Sequence, residues 1–229
     1  MATATYTATR ARLETYFDRT AVEAWKRLTS DAPVGSVRAT VRAGRDAMRS
    51  TLLSWLPDSL DGRTLLDAGC GTGALSVAAA GRGAQVVAVD LSPTLVRLAA
   101  ERAGTTAIDW RVGDMLDPAH GAADHIVAMD SLIHYRTPDV VAALAGLAPR
   151  AARSLLFTFA PRTPALAAMH AVGKLFPRGN RSPMIVPVAE RDLLARIDAE
   201  PALAAFRIGR TKRIAAGFYI SQALELVRR

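Results

Sequence analysis

Three observations predict an α/β fold: a seven-stranded, mostly parallel sheet with helices on both faces and a C-terminal antiparallel hairpin. From residue 64 onward, strand-like runs alternate with helical stretches of a length suited to crossover connections. A glycine-rich turn, Gly69-Cys70-Gly71-Thr72-Gly73, follows the first run and opens straight into a helix-compatible stretch. The chain then ends in two strand-like runs joined by Ala215-Ala216-Gly217, where a repeat of the earlier units would need another crossover helix.

The elements follow in order. Leu13, Phe17, Ala21 and Trp25 recur every four residues beside Tyr16, Ala24 and Leu28, which gives a first amphipathic helix. Residues 29–35, with Asp31 and Pro33, break it. A second helix runs from about Ser36 to Trp55, with Val37, Val41, Met48, Leu52 and Leu56 along one stripe and Pro57 closing it. Residues 1–57 therefore read as an N-terminal helical arm and 58–229 as the main domain.

Within that domain, strands are expected at Thr64–Ala68, Gln85–Val89, Ile108–Val112, His125–Met129 and Ser154–Phe159, with the hairpin at Phe206–Ile214 and Phe218–Val227. Helices are expected near 74–81, 93–103 and 138–148. Residues 160–189 are irregular, with five prolines around a short apolar helix at Ala165–Leu175. An insertion at that point lies over the carboxyl ends of the strands, where ligands bind in such sheets.

Composition narrows the class. The chain has 229 residues, enough for one full core, and 50% are apolar, as in ordinary globular proteins. No apolar run reaches the ~18 residues of a spanning helix, and the N-terminus lacks the pattern of a secretory signal, so a cytoplasmic location is expected. A single cysteine, Cys70, excludes a disulfide framework, and four histidines without ligand spacing suggest no protein metal site. The formal charge of +8 favours an anionic partner, although the excess is nearly all scattered arginine in an alanine-rich chain. That scatter argues against a nucleic-acid surface.

The glycine turn alone is shared with dinucleotide-binding proteins. Asp90, about 20 residues on at the end of the second strand, is placed to accept from ribose hydroxyls, which is shared as well. Two features separate the readings. Asp67, just before the glycines, would repel a pyrophosphate but can pair with the amino-acid portion of S-adenosylmethionine. The terminal hairpin stands where a dinucleotide fold would carry its second half. Asp114 after the third strand can accept from an adenine amino group with Met115 packed on the ring, and Asp130 ends the fourth strand. Four acids at successive strand ends, with Gly69, Cys70 and Gly71 in the loop and Leu91 beyond Asp90, make S-adenosylmethionine the expected cofactor. Over residues 60–229 the chain resembles the class I methyltransferases.

The acceptor is expected to meet the segment Asp130-Ser-Leu-Ile-His134-Tyr135. Asn-Pro-Pro-Tyr, used on planar nitrogens, is absent there, and the cysteine that cytosine C5 methylation needs lies in the cofactor loop instead. A small-molecule oxygen acceptor stays open.

A closer resemblance covers nearly the whole chain. Tyr16-Phe17 with Trp25, Val41-Arg42-Ala-Gly44-Arg45, Asp67-Ala-Gly-Cys-Gly, Leu132-Ile-His134-Tyr135, Phe159-Ala-Pro161 and Phe176-Pro177 are similar to the magnesium-protoporphyrin IX O-methyltransferase family, in the style of its bacteriochlorophyll branch. One departure is Arg45-Asp46 where the chlorophyll branch carries Gly-His. The resemblance implies methylation of a propionate of Mg-protoporphyrin IX, whose magnesium arrives with the substrate. It implies His134 as the residue that hydrogen-bonds or deprotonates the carboxylate, and Tyr16 as a second polar contact. Arg42 and Arg45 would hold the other propionate, with Trp25, Leu132, Ile133, Met169, Leu175 and Phe176 covering the porphyrin plate. It also implies delivery from the porphyrin-binding subunit of magnesium chelatase; peripheral contact with the photosynthetic membrane is a separate expectation from the basic charge. Two alternatives stand beside it: methylation of RNA or another small anionic acceptor, and a porphyrin carrier without turnover.

Overall fold

The computed structural model describes residues 3–20, 36–163 and 185–229. A first helix, α1 (Ala4–Thr15), leads through a π-helical turn at Tyr16–Thr20, and α2 spans Ser36–Ser54. Then follow β1 (Thr64–Ala68), α3 (Ala74–Ala80), β2 (Gln85–Asp90), α4 (Pro93–Ala103), β3 (Asp109–Val112), β4 (Ala123–Ala128), α5 (Thr137–Leu147), β5 (Ala151–Phe159), α6 (Glu190–Ala199), β6 (Phe206–Ala216) and β7 (Tyr219–Arg228). The seven strands lie in the order β3-β2-β1-β4-β5-β7-β6. The first five run parallel, while β7 is antiparallel to both β5 and β6.

The central strands are apolar on both sides because helices cover both faces. Leu66, Ile126 and Leu155 point into the layer closed by α5 and α6, where Leu144, Leu147, Leu193 and Ile197 meet them. Their chain neighbours Leu65, Val127 and Leu156 point the other way, against Met48, Leu52 and Leu56 from the α2 segment and Leu75 and Ala79 of α3. Alternation along each strand thus builds two half-cores from consecutive residues. Of the stripe predicted for α2, Met48, Leu52 and Leu56 are each 5% exposed or less, and Val41 is half-buried.

Two elements differ from the sequence expectation. The first helix begins at Ala4, capped by the Thr3 hydroxyl, which accepts from the Tyr6 amide. Its threonine-rich start carries no apolar period, so only Tyr6 and Leu13, seven residues apart on one face, are buried. Residues 21–35 lie outside the described residues, so the predicted continuation through Ala21, Trp25 and Leu28 is not described. Helix α6 had no counterpart in the sequence reading. Only Leu193 and Ile197 of its ten residues are buried, too short a stripe to stand out.

β1 lies between β2 and β4, so the crossover direction reverses at its carboxyl end and a crevice opens there. The base of the insertion closes on the same edge. Pro161 bridges to Val188, and the Val186 amide donates to the Ile133 carbonyl at 2.9 Å. No described helix is long and apolar enough to cross a membrane.

Candidate active site

The crevice holds a cavity enclosing about 700 Å³, its open mouth included, at the carboxyl ends of β1, β2 and β4 and beneath α1. It has an apolar end and a polar end.

The apolar end grows from the glycine loop. Gly69 and Cys70 donate their amides to the Val89 carbonyl at 2.8 and 2.9 Å, which ties the loop to the end of β2. The Gly71 amide donates to Asp90 Oδ2 at 2.9 Å, and the Ser92 amide to Oδ1 at the same distance. Burial pushes the Asp90 carboxyl up, and these backbone donors oppose the shift. Gly71 has φ +55°, and a Cβ built there would meet no atom of the described residues within 4 Å. It would point into free space, so the backbone is bare where a ligand can touch it. Val89, Leu91, Leu95, Gly113 and Met115 complete this end.

Two of the four strand-end acids are turned elsewhere. Asp67 is 1% exposed and absent from the cavity wall; Ser76 of α3 donates to its Oδ2 at 2.5 Å. Burial pushes its carboxyl up to about 7. The expected contact with the amino-acid portion of the cofactor is therefore corrected: Asp67 lies sealed behind the loop and fixes α3 to β1. Asp114 is likewise bonded to the arm. Its Oδ1 accepts from Tyr6 Oη at 2.7 Å and the Leu116 amide at 3.0 Å, and its Oδ2 from Arg10 at 3.0 Å. Its neighbours Gly113 and Met115 reach the cavity in its place, so the expected adenine contact is corrected to an anchor for α1.

The arm forms the roof. Thr5 donates to the buried Asp139 at 2.6 Å, and Thr3 bonds the same oxygen. Beyond the helix, Asp18 accepts from Thr94 at 2.8 Å, tying the π turn to α4. Tyr6, Leu13 and Phe17 thereby face the cavity, and Tyr6 stacks on Tyr135 with ring centroids 4.8 Å apart. Burial pushes both phenols above their ordinary range. The arm tyrosine on the wall is thus Tyr6, whereas Tyr16 sits half-buried off the wall, edge-on to Phe17 at 5.2 Å.

The polar end centres on Asp130, which lines the cavity with Gly69, Arg45, Ser131 and His134. Asp130 has φ +53°, a left-handed conformation that Asp tolerates better than most residues. Arg45 of α2 pairs with its Oδ2 at 2.8 Å. Tyr219 Oη reaches both oxygens at 3.0 and 3.2 Å, and Thr158 and Ser221 reach Oδ1 at 3.3 and 3.4 Å. Three distant elements, α2, β5 and β7, therefore converge on one carboxylate. It holds the backbone that leads into the 3-10 turn Leu132–His134. His134 is 8% exposed, on the wall, its ring 6.0 Å from Phe17.

Of the remaining predicted residues, Leu132 is fully buried core, which removes it from the porphyrin-facing set. Ile133 and Arg42 are half-buried and off the wall. Cys70 is off the wall too, its thiol pushed well up by burial. Trp25, Met169, Leu175 and Phe176 lie outside the described residues. The sequence reading missed Tyr6, Ser131 and Tyr219. Tyr6 had no signal in its threonine-rich surroundings; Ser131, just ahead of a turn, had the weak one of a capping residue. Among the described residues, no group of three or more His, Cys, Asp or Glu side chains could hold a metal ion.

Comparison with known proteins places this architecture. The family model described as magnesium-protoporphyrin IX methyltransferase C-terminus matches residues 128–228, and a methyltransferase-domain model matches 65–152. The chain is 49% identical to the magnesium-protoporphyrin O-methyltransferase of Rhodobacter capsulatus, over 96% of this chain and 97% of that one. The Synechocystis enzyme of the same name is 31% identical over 93% of this chain and 94% of its own. A crystal structure of magnesium protoporphyrin IX methyltransferase from Synechocystis with bound SAH superposes with a TM-score of 0.85 at 30% identity, covering 96% of this chain and 100% of that one. The chain belongs to the magnesium-protoporphyrin O-methyltransferase family.

Proposed function

We propose that this chain transfers a methyl group from S-adenosyl-L-methionine to a propionate carboxylate of Mg-protoporphyrin IX. The products are the monomethyl ester and S-adenosyl-homocysteine, in bacteriochlorophyll biosynthesis. The observation that carries the reading is a single cavity that joins a bare glycine loop and Asp90 at one end to His134 at the other. The residues present fit the cofactor: Asp90 for ribose hydroxyls, the Gly71 backbone for close approach, and Leu91, Leu95 and Met115 around the adenine.

When bound, the cofactor supplies a methyl group on a positively charged sulfur that leaves as a neutral thioether. The acceptor needs little activation. A propionate has a pKa near that of a Glu side chain, about 4.3, and is ionised at neutral pH. One carboxylate oxygen forms the new O–C bond as the C–S bond breaks, and no proton is transferred. The protein's task is to strip water from the carboxylate and aim one oxygen. Orientation of this kind is worth up to roughly 7–11 kcal/mol in ideal intramolecular cases. His134 is assigned the hydrogen bond to the reacting carboxylate. Tyr6, Leu13 and Phe17 exclude water from above, with residues 1–57 acting as the cap. Arg42 of α2 is the proposed contact for the second propionate. Delivery from the porphyrin-binding subunit of magnesium chelatase suits a poorly soluble substrate, and the +8 charge suits peripheral contact with an anionic membrane.

Incubation with Mg-protoporphyrin IX and S-adenosylmethionine should yield a monomethyl ester by mass spectrometry. If both ligands bind and no ester forms, the chain is a porphyrin carrier instead. His134→Ala should lower kcat by about 100-fold, the cost of misplacing a reacting group by about 1 Å, and leave cofactor affinity unchanged. An unchanged kcat would return His134 to a packing role.

A further inference from the structure

Correcting Asp67 leaves the amino-acid head of the cofactor without an assigned acceptor for its ammonium group. The polar end of the cavity offers few choices among its described side chains. Arg45 is a cation. Asp130 already accepts from Arg45, Tyr219, Thr158 and Ser221. His134 stands at the far end of the 3-10 turn. Ser131 remains.

The Ser131 hydroxyl oxygen is buried and, among the described residues, has no hydrogen-bond partner. That is unusual for its position. Ser131 is the N-cap of the 3-10 turn Leu132–His134, where a serine ordinarily accepts from an amide of the first turn, yet it makes no capping bond. A buried hydroxyl left unmade in this way is costly unless something else bonds it. The residue lines the cavity, so a ligand can. It also sits directly over the loop: a Cβ built on Gly69 would lie 2.5 Å from Ser131 Cβ and 3.2 Å from its Oγ. Gly69, with φ +91°, is therefore glycine because Ser131 occupies the space above it. The hydroxyl is thus held against the cofactor loop rather than out at the mouth.

We propose that Ser131 Oγ accepts a hydrogen bond from the α-ammonium group of the cofactor's methionine portion. The Asp130 cluster is the device that aims it. Three elements fix the backbone just before Ser131, and the left-handed turn at Asp130 points the next side chain at the loop. The assignment rests on the reading that the cavity binds S-adenosylmethionine.

The test compares two ligands by calorimetry on wild-type protein and on Ser131→Ala. S-adenosyl-homocysteine carries the amino-acid head; 5′-methylthioadenosine lacks it. Ser131→Ala should weaken S-adenosyl-homocysteine about tenfold or more, as expected for a hydrogen bond to a charged group, and change methylthioadenosine by less than about twofold. The thermal midpoint of the unliganded protein should not fall, because among the described residues the hydroxyl bonds no protein group. Equal losses for both ligands, or a lowered midpoint, would make Ser131 a packing residue and overturn the assignment. So would unchanged S-adenosyl-homocysteine binding with weakened Mg-protoporphyrin binding, which would give the hydroxyl to the acceptor. If wild-type protein bound neither adenosine ligand, the cofactor reading itself would fall, and this proposal with it.

Discussion

Asp90 and Asp130 end the two strands that flank β1, and both carboxylates line the same cavity. They are held in opposite ways. Asp90 is fixed by the backbone amides of Gly71 and Ser92, donors within one βα unit and its neighbouring loop. Asp130 is fixed by side chains from α2, β5 and β7, residues far from it in the chain. The first arrangement leaves the carboxylate side chain on the cavity wall and suits a ligand contact. The second satisfies the carboxylate within the protein and suits a keystone. Two acids with the same position in the sheet thus differ in role because of what else reaches them.

The widest separation between the two should come from Asp130→Ala. Removing it takes the shared carboxylate away from Arg45 and the buried Tyr219 hydroxyl, and breaking a buried pair in this way costs about 3–5 kcal/mol. Urea unfolding should register that loss; a change below about 1 kcal/mol would mean that the cluster is not a keystone. Asp90→Ala should do the reverse. Affinity for S-adenosyl-homocysteine should fall by about 100-fold through lost charge-assisted hydrogen bonds, with stability lowered by only about 1 kcal/mol. Unaltered affinity by calorimetry would remove the ribose assignment.

The effect of the third acid, Asp67, appears only against pH. Burial raises its carboxyl from 3.8 to about 7. Between those values the folded state keeps a proton that the unfolded chain has lost. Its contribution to stability is therefore greatest below pH 3.8 and declines as pH rises to about 7, levelling off beyond. Asp67→Asn should remove that slope, so the difference in urea midpoint between variant and wild type should shift in favour of the variant across this window. A constant difference would show that Asp67 has the same affinity for protons folded and unfolded.

Much of the cavity's apolar end was legible in the chain. Gly69, Gly71 and Asp90 fall within one βα unit and its following strand, and their spacing alone brings them together once the strands pair in parallel. Leu91 and Met115 came with the same strand ends. The polar end was not legible. Arg45, Tyr219 and Thr158 carry no common spacing with Asp130, and only the packing of α2 and the hairpin against β5 makes them neighbours. Gly44 illustrates the point: a Cβ there would strike Tyr219 at 2.5 Å, a requirement that no local pattern announces. Tyr6 was missed for a related reason, since an anchor for a helix on another element leaves no period in its own sequence.

What the sequence by itself determined was the sheet, its hairpin and the cofactor class. These rest on hydrophobic alternation and on glycine and acid spacings, which are short-range and survive being read in one dimension. Only the tertiary structure decided which acids face the cavity. Asp67 and Asp114 occupy strand ends as suitable as that of Asp90, yet Ser76 seals one and the arm claims the other. A carboxylate's role is set by the donors that reach it, and those donors arrive from elements that the chain brings near only by folding.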